Sequence, residues 1–558
     1  MKIKKHIYWD LRLDPVEYPK IIKNIYFKIN LDNRNLFVNW IDKISKKGQK
    51  DLDWWVSLPP SRHPYMSKIH HKICVLETLK KISNQKYSIN IILSEKNLLN
   101  IIFNWSKNNK KDIKLIYKKK EDKLTKYFIF LKAIFFSFFI FLYIKFFIKK
   151  VEINKKIKNN ILIDTFASNE SVKKEKLYLG LDDFLKRKKI KNVFFVPTFI
   201  VESNLLNTIN IINLHNERKC LFKEHYLSYR DLLFSWAHVL RVKKYVKKYE
   251  RFKNWDLSSI LSEELLSLNQ YNSTISGILN FRFAKNLYNQ NIKINKYVNW
   301  FENQIIDKGW NLGFRQFYPN CSSLGYQGFL YHGQYINLNP SKFEKVAKVI
   351  PETIINPGKS YIKLRKEFCK SLKVQVGPAL RFQDIFKDYN KKKSIEILLI
   401  LSGIKYLDLK LIGLTTYFLK KNKDIKLVIK THPILPKEKI KDRNIDILKN
   451  QIIFSDENLS TLLKKTRISI CSGPTSGTIE SIAYNSFLII PVMEPYDELN
   501  PKLLKIPKKS YSVVYNKNEL LVELKKNLAN NKNNYINKRL ISKLFESTTD
   551  KKLYMFVK

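Results

Sequence analysis

The segment "SICSGPTSGTIESIAYNSFLIIPV" (residues 469–492) decides how this chain folds. Two apolar runs enclose a stretch of serine, glycine, proline and threonine, an order typical of strand, turn, helix and second strand. We expect the first strand to end at Cys471 and the helix to run from Thr475 or Ser476 through Ala483. A strand, a tight turn and a helix form the repeating unit of parallel sheets, so the segment predicts the α/β class.

The same alternation continues along the whole chain and predicts two domains. A length of 558 residues exceeds what one core normally holds. We expect two Rossmann-like domains facing a cleft, at residues 1–345 and 346–525, followed by a helical tail at 526–558. The predicted strands lie at residues 89–94, 112–118, 161–166, 191–199, 291–298, 322–330 and 352–360, and then at 393–403, 425–433, 451–456, 468–473 and 486–492.

The charge of the chain is strongly basic, with 103 Lys and Arg against 49 Asp and Glu and a formal net charge of +54. The lysines are spread among Ile, Asn, Phe and Tyr, without an arginine-rich stripe or a nucleic-acid-binding motif, so we expect no nucleic-acid partner. The excess charge suits an anionic membrane surface or an anionic substrate. Five widely spaced cysteines and an N-terminus without a signal-peptide core predict a reduced, cytoplasmic protein.

One apolar segment, "KYFIFLKAIFFSFFIFLYIKFFIKK" (residues 126–150), predicts contact with a membrane. About 20 apolar residues suffice to span a bilayer, but Lys132 and Lys145 interrupt this run. If the predicted strands on both sides share one sheet, a single crossing would separate its halves. We therefore expect a helix lying in the membrane interface with snorkelling lysines; a true span and a buried core helix are the alternatives.

The turn inside the opening segment has the composition of a phosphate site. Ligands of parallel sheets bind beyond the carboxyl ends of the strands, and helix N-termini favour anions. Its glycines admit a ligand close to the backbone, its hydroxyls can donate hydrogen bonds, and its glutamate can accept them from a ribose. The alternative is a helix cap, which one hydroxyl would satisfy. The predicted donor-binding residues in this turn are Ser472, Gly473, Thr475, Ser476, Thr478 and Glu480.

Two further turns are expected at the same edge of the sheet. "IKTHP" follows one predicted strand and contributes Lys430, His432 and Pro433; "LSG" follows another and contributes Ser402 and Gly403. A histidine at this edge can donate to a phosphate or polarise a leaving group. The alternatives are a histidine that packs a loop and an ordinary tight turn.

The His-Pro pair and the hydroxyl-rich turn together resemble bacterial sialyltransferases, polysialyltransferases and Kdo transferases. The resemblance implies the glycosyltransferase-B fold, a CMP-activated acidic sugar, and a donor phosphate held by His432, Ser472, Thr475 and Ser476. The sequence departs from that pattern because it lacks the Asp/Glu-Asp/Glu-Gly motif that supplies the general base there. The base and the donor sugar are therefore open.

A second resemblance covers nearly the whole chain. "LDWWVSLPPSRHPYMSKIHHKIC" (52–74), "WFENQIIDKGWNLGFRQFYP" (300–319), "GYQGF" (325–329) and "GPALRF" (377–382) look like surface carbohydrate biosynthesis proteins of O-antigen clusters. That resemblance implies a role in bacterial surface polysaccharide (O-antigen, lipopolysaccharide or capsule) biosynthesis.

The first domain is expected to bind the acceptor and to supply the base. Glu302 follows a predicted strand between aromatic residues, an arrangement suited to a base beside a sugar. Its alternative is an ion pair with Arg282 or Arg315. Other candidate bases are Asp164 and Glu224 with His225. The predicted acceptor-binding residues are Arg62, His63, Asn303, Gln304, Arg315, Tyr326, Gln327 and Arg381.

The sequence thus predicts an inverting, metal-independent glycosyltransferase without a cofactor, in which Glu302 and His432 are catalytic. Its donor is a CMP- or UDP-linked sugar, its acceptor is a lipid-linked glycan, and it is peripheral on the cytoplasmic face of the inner membrane. A UDP-sugar transferase or UDP-N-acetylglucosamine 2-epimerase-like enzyme of the same fold is one alternative. A non-catalytic sugar-binding scaffold is another.

Overall fold

The computed structural model describes residues 5–84, 87–119, 123–157, 159–167, 177–199, 204–246, 250–387, 393–440, 442–529 and 538–558. Three parallel sheets and one short antiparallel ribbon organise these residues. The chain is an α/β protein with its parallel sheets in two domains, as the alternating sequence predicts.

The first domain contains a three-stranded and a six-stranded sheet. The small sheet has the order β1-β2-β3 and the large sheet the order β11-β10-β9-β8-β4-β5, where the strands are β1 Lys5–Asp10, β2 Tyr87–Leu93, β3 Ile113–Tyr117, β4 Asn160–Ala167, β5 Val193–Phe199, β8 Ile294–Trp300, β9 Ser322–Tyr326, β10 Thr353–Asn356 and β11 Lys373–Val376. The ribbon pairs β6 Arg251–Phe252 with β7 Trp255–Asp256.

The second domain contains a six-stranded parallel sheet of order β14-β13-β12-β15-β16-β17. Its strands are β12 Ile395–Ile400, β13 Leu427–Lys430, β14 Ile452–Phe454, β15 Thr466–Cys471, β16 Phe487–Pro491 and β17 Tyr511–Val514. The five strands predicted in this half are all present. The edge strands β1, β11 and β17 were missed, because each is short and carries a mixed rather than a continuous apolar pattern.

The helices cover both faces of the sheets. In the first domain they are α1 Lys20–Asp32, α2 Arg34–Ser45, α3 Leu52–Trp55, α4 Leu58–Ser61, α5 Ile69–Ser83, α6 Lys96–Asn108, α7 Lys123–Phe147, α8 Leu181–Arg187, α9 Leu205–Glu217, α10 Tyr229–Trp236, α11 His238–Arg241, α12 Ser258–Leu265, α13 Tyr271–Asn289, α14 Ile305–Phe317, α15 Lys342–Val346 and α16 Ile362–Arg365. In the second domain and the tail they are α17 Lys405–Leu419, α18 Arg443–Ile447, α19 Leu459–Lys465, α20 Gly477–Ala483, α21 Leu499–Leu503, α22 Lys517–Ala529, α23 Lys538–Leu544 and α24 Asp550–Leu553. Short 3-10 helices lie at Pro15–Glu17, Lys46–Gly48, Lys223–Tyr226, Val242–Tyr245, Ile336–Leu338, Lys359–Tyr361, Leu380–Phe386, Lys437–Lys439, Lys508–Ser510 and Tyr554–Phe556.

The change from one large sheet to the other comes later than the predicted boundary at residues 345/346. Strands β10 and β11 pair with β9 and so belong to the sheet of the first domain. The change therefore lies between Val376 and Ile395. The described part of the tail returns to the first domain, where Leu553 and Phe556 pack in one cluster with Tyr326.

The long apolar helix α7 separates strands of two different sheets. Strands β2 and β3 precede it in the small sheet and β4 follows it in the large one, so the premise of one shared sheet is wrong. A single crossing of the membrane by α7 would nevertheless separate parts that pack together. One hydrophobic core joins Ile89 and Ile91 of β2, before α7, to Ile278 of α13 and Ile305 of α14, after it. A crossing by α7 would therefore divide a continuous core.

Helices α13 and α14 cross at two glycines, which allows their backbones to touch. A Cβ atom added to Gly309 would overlap the backbone of Gly277, and one added to Gly277 would lie 2.9 Å from the carbonyl oxygen of Ile305. This crossing holds α14, and with it the turn that contains Glu302, against the core.

We expect Gly309→Ala to destabilise the protein by at least about 2 kcal/mol, because backbone overlap at a packed crossing forces the helices apart. Gly413→Ala is the matched control. Gly413 lies in the exposed part of α17 with no atom within 4 Å of an added Cβ, so alanine there should stabilise by about 0.5–1 kcal/mol. Urea unfolding of the two variants measures both effects; equal stabilities would contradict the crossing.

Candidate functional site

Three turns meet at the carboxyl edge of the second domain's sheet. A Cβ added to Gly403, after β12, would lie 2.7 Å from Nδ1 of His432, after β13. A Cβ added to Gly473, after β15, would lie 3.8 Å from the Ser402 hydroxyl. Both glycines have positive φ, +86° and +77°, which strains other residues. The structure therefore brings together the turns that the sequence placed at one edge.

A buried aspartate, Asp408 in α17, holds the Ser402 turn. Its Oδ1 accepts from the amide of Ser402 at 2.7 Å and from the hydroxyl at 2.8 Å, and its Oδ2 accepts from the amide of Gly403 at 2.9 Å. These donors are therefore engaged within the protein, which matches the tight-turn alternative.

A second buried aspartate, Asp497, holds the Ser472 turn. Its carboxylate accepts from the Gly473 amide at 2.8 Å and from the amides of Met493 and Glu494 at 2.8 and 2.7 Å. The Ser472 hydroxyl lies 2.9 Å from Asp497 Oδ2 and 2.7 Å from the carbonyl oxygen of Pro491. Sequence reasoning missed Asp497; "PYDELN", after the last strand of the opening segment, was its only signal.

The remaining hydroxyls of this turn also have partners inside it. Ser476 Oγ donates to Glu480 Oε1 at 2.6 Å, and Thr478 Oγ1 donates to the carbonyl oxygen of Thr475 at 3.1 Å. Thr475 Oγ1 accepts from the Gly477 amide at 3.2 Å. Helix α20 has seven residues and begins at Gly477, close to the predicted start. The turn thus satisfies itself without a ligand, and Thr475 and Ser476 are its partly exposed hydroxyls.

His432 and Lys430 line the same edge. His432 is partly buried and its Nδ1 accepts from the amide of Ile434 at 3.3 Å, while Pro433 is exposed. The Lys430 ammonium lies 3.4 Å from the carbonyl oxygen of Ser455. The arrangement leaves the histidine ring at the junction of the three turns.

Glu302 lies just beyond β8, at the carboxyl edge of the first domain's large sheet. Its carboxylate accepts from the indole of Trp300 at 2.9 Å and from the side-chain amide of Gln304 at 2.5 Å. Burial raises its pKa, against the lowering effect of these donors and of Arg381. The ion-pair alternative is not observed: Arg282 pairs with Asp231 and Arg315 with Glu352.

A third buried aspartate, Asp307 of α14, fixes the position of Glu302. Its Oδ2 accepts from the amides of Glu302 and Gln304 at 3.0 and 2.9 Å. Burial raises the pKa of Asp307 to about 8. Asn299 bridges Asp307 to Asp164, whose pKa burial raises to about 6. Asp164 is therefore a buried neighbour of the Glu302 turn, below the cleft.

The other candidate base pair lies elsewhere. Glu224 and His225 are on the 3-10 helix Lys223–Tyr226, which packs beneath α7. Glu224 is buried and lines a cavity between α7 and α13 rather than the cleft. The structure does not bring Glu224 to Glu302.

The loops beyond the two large sheets contact each other, which defines the cleft. The amide of Gly333, in the loop after β9, donates at 3.0 Å to Oδ1 of Asn500, in the short helix α21 that follows β16. His332 Nε2 lies 3.9 Å from Asp497 Oδ1, and the Arg34 guanidinium lies 5.0 Å from the ring of Tyr496. The carboxyl edges of both sheets therefore border one interdomain space.

Glu494 is a cleft carboxylate that sequence reasoning missed. It follows β16, is 6% exposed, and accepts from the Tyr406 hydroxyl at 2.6 Å. Burial raises its pKa to about 8, and the charges of Asp497 and Asp14 act in the same direction. Burial raises the pKa of Tyr335 in the first domain, and the charges of both Glu302 and Glu494 raise it further, so this tyrosine lies near both carboxylates.

Two of the predicted acceptor residues belong to a buried ion network instead. Arg62 is 2% exposed and pairs with Glu344, which also pairs with Lys308. Burial alone would raise the pKa of Glu344, but the two cations outweigh it and hold the pKa at about 2. Asn303 is fully buried and donates to Glu344 and to the carbonyl oxygen of Asn337. This network fixes the first domain's interior.

Three others also have partners within the first domain. Tyr326 and Gln327 are fully buried, and their side chains donate to the carbonyl oxygens of Pro378 and Leu338 at 2.8 and 3.1 Å. Arg315 pairs with Glu352 near the end of α14 that is remote from Glu302. A charged or polar side chain within a packed domain forms hydrogen bonds or ion pairs with other groups of that domain, which explains why these five predicted acceptor residues do not line the cleft.

Three predicted residues remain at the cleft. The side chain of Gln304 contacts Glu302, and the charge of exposed Arg381 lowers the pKa of Glu302. The ring of His63 lies 5.4 Å from the ring of Tyr335. Burial lowers the pKa of His63 to about 4, so its ring is neutral at physiological pH. Among the described residues, no group of three His, Cys, Asp or Glu side chains is arranged to hold a metal ion.

Comparison with known proteins finds similarity only among solved structures. No family model and no curated protein matches the chain. The crystal structure of the GtfA/B complex is 8% identical, with a TM-score of 0.42 over 71% of this chain and 98% of that chain. A putative UDP-N-acetylglucosamine 2-epimerase from Listeria monocytogenes is 13% identical, with a TM-score of 0.40 over 71% and 94%. The spinosyn rhamnosyltransferase SpnG with thymidine diphosphate is 9% identical, with a TM-score of 0.38 over 66% and 92%. Similarity this low carries no argument about activity.

Glu494→Gln should remove a pH dependence of stability. The unfolded Glu494 loses its proton near its ordinary pKa of about 4.5, whereas the folded one keeps it up to about 8. Its contribution to the free energy of unfolding therefore falls as pH rises through that window. We expect the glutamine variant to gain stability relative to wild type on going from pH 5 to pH 8, measured by urea unfolding.

The matched control is Glu438→Gln, at an exposed glutamate in the same domain. It should follow the wild-type pH profile. A Glu494→Gln profile parallel to wild type would show that Glu494 is ionised in the folded protein at neutral pH.

Proposed function

We propose that this protein is a glycosyltransferase of the glycosyltransferase-B type that transfers a sugar from a nucleotide-sugar donor with inversion. The observation that carries the proposal is the cleft itself. The carboxyl edges of two parallel sheets border it, with Glu302 on one side and, on the other, the junction of two glycine-containing turns with the turn that carries His432. Parallel sheets bind their ligands at this edge.

In this proposal the second domain holds the donor. His432 and the partly exposed Thr475 and Ser476 contact the phosphate, and Glu480 accepts from the ribose. Ser402, Ser472 and Gly473 shape the turns, because Asp408 and Asp497 already engage their donors. The donor is CMP- or UDP-linked, and the reaction needs neither metal nor cofactor.

The first domain holds the acceptor, and Glu302 acts as the base. Removing the proton from an attacking hydroxyl requires a carboxylate at the cleft, and the Trp300 and Gln304 donors orient this one. Glu494 stands on the donor side, where a protonated carboxyl can donate to a leaving phosphate oxygen. The acceptor is a lipid-linked glycan of bacterial surface polysaccharide biosynthesis, reached at the cytoplasmic face of the inner membrane.

Two alternatives keep the same cleft. A UDP-N-acetylglucosamine 2-epimerase-like enzyme would also bind a nucleotide through the second domain, and a scaffold would bind sugars without using Glu302. Nucleotide preference and the Glu302 variant distinguish them.

We expect one nucleotide among CMP, CDP, UMP, UDP and GDP to raise the melting temperature, since a ligand that binds only the folded state stabilises it. His432→Ala should abolish that shift. The control is His6→Ala, at an exposed histidine of the small sheet, which should keep it. A CMP-selective shift supports an acidic-sugar donor and a UDP-selective shift supports the alternative donor. No shift with any nucleotide would overturn the proposal.

Glu302→Gln should lower the rate of transfer by about 10²–10⁴-fold without changing the nucleotide-induced melting shift. In wild type the rate should fall as pH drops through the raised pKa of Glu302, because the base must be ionised. Nucleotide release from the donor in the presence of membrane lipid extract measures both. Glu352→Gln, which removes the partner of Arg315, is the control with unchanged rate. A Glu302→Gln enzyme at full rate would contradict this role.

A further inference from the structure

Helix α7 carries an exposed apolar surface. Its outward stripe consists of residues at intervals of three, four and eleven positions, which place them on one face of the helix. Their exposed fractions are 67% for Phe128, 61% for Leu131, 53% for Phe135 and 72% for Phe146. The opposite stripe, with Ala133, Phe136, Ile140 and Ile144, is buried in the first domain. One helix thus has a packed face and an uncovered aromatic face.

A second element extends this surface. Helices α10 and α11 expose Tyr229, Leu233 and Leu240, at 54%, 60% and 62%. Helix α10 contacts α7 directly: the rings of Phe141 and Tyr229 lie 5.1 Å apart, and the Trp236 indole donates to the Ser137 hydroxyl at 2.9 Å. The exposed ring of Phe138 of α7 lies 6.0 Å from that of Trp236, so the exposed sides of α7 and α10 meet there. We call these sides, together with the exposed Leu240 of α11, the α7–α10 surface.

Cations border the α7–α10 surface. The α7 sequence and the residues up to Lys150 contain no acidic side chain, and Lys145, Lys149 and Lys150 are exposed beside the stripe. Arg230 is exposed on α10, and its neighbour Asp231 is buried against Arg282. Exposed aromatic groups ringed by cations, in a chain of formal charge +54, complement an anionic lipid surface.

We propose that the α7–α10 surface docks on an anionic bilayer, with α7 lying along the interface. Length and composition alone would let Tyr127–Phe147 cross a membrane. A crossing would expose to lipid the stripe that now packs in the core, and would divide the core shared by β2 and α14. Lying flat keeps that stripe packed, and the lysine stems reach the headgroups.

This orientation places the cleft near the bilayer. Ile140 and Ile144 of α7 pack in one cluster with Ala167 and Phe199, the last residues of β4 and β5. Those ends belong to the same carboxyl edge beyond which Glu302 lies. The inference rests on the proposed function only in this respect: an acceptor anchored in the docked bilayer reaches the edge that bears Glu302.

The test is co-sedimentation of the whole protein with vesicles of phosphatidylcholine alone or mixed with phosphatidylglycerol, without nucleotide or acceptor. We expect binding to the mixed vesicles, weakened by salt and released by alkaline carbonate. The triple variant Phe128→Ser, Leu131→Ser, Phe135→Ser should bind at least about tenfold more weakly, because three apolar contacts are lost. The double variant Leu233→Ser, Leu240→Ser should also bind more weakly.

The matched control is Val522→Ser, at a 62% exposed apolar residue of α22 in the other domain, which should bind like wild type. Melting temperatures confirm that the variants fold. Equal binding to neutral vesicles, undiminished binding by the triple variant, resistance to carbonate (a span), or dimers dispersed by the triple variant in the absence of lipid would each overturn the proposal. Loss of transfer activity with intact vesicle binding would count against the proposed function alone.

Discussion

The structure depends on buried aspartates that accept hydrogen bonds from backbone amides where strands end. Asp408, Asp497 and Asp307 each accept hydrogen bonds from two or more backbone amides of a turn at a carboxyl edge, and each is at most 3% exposed. A turn that is shielded from water must satisfy its amides internally, and a carboxylate with two oxygens can serve several at once. These three aspartates fix the turns that carry Ser402, Glu494 and Glu302 around the cleft.

Buried carboxylates also raise the number of acidic groups with shifted pKa values around the cleft. The chain is strongly basic overall, yet buried or partly buried carboxylates lie on both sides of the cleft: Glu302, Asp307 and Asp164 in the first domain, and Glu494 and Asp497 in the second. Burial raises the pKa of each. Groups with raised pKa values concentrate where proton transfer occurs. The protein thus combines a basic composition with a cleft edge whose carboxyl groups have raised pKa values.

The apolar helix and the cleft are parts of one arrangement. Helix α7 packs against the strand ends of the first domain's sheet, and its uncovered face continues onto α10 and α11. In the docking proposed above, the position of α7 at the carboxyl edge brings the cleft to the bilayer, because the same helix packed at the amino edge would hold the cleft away from it.

The sequence by itself determined the α/β class, most strands and the meeting of three turns at one edge, since alternating apolar runs and glycine-rich turns are local signals. It also placed Glu302 just beyond a strand of the first domain and predicted the apolar helix. Only the tertiary structure decided that Arg62, Asn303, Tyr326 and Gln327 are internal, that β10 and β11 belong to the first domain, and that Asp497 and Glu494 border the cleft. Local sequence patterns do not predict burial or contacts between distant segments. A polar residue has the same local sequence whether its partner is a ligand or a buried amide of its own chain.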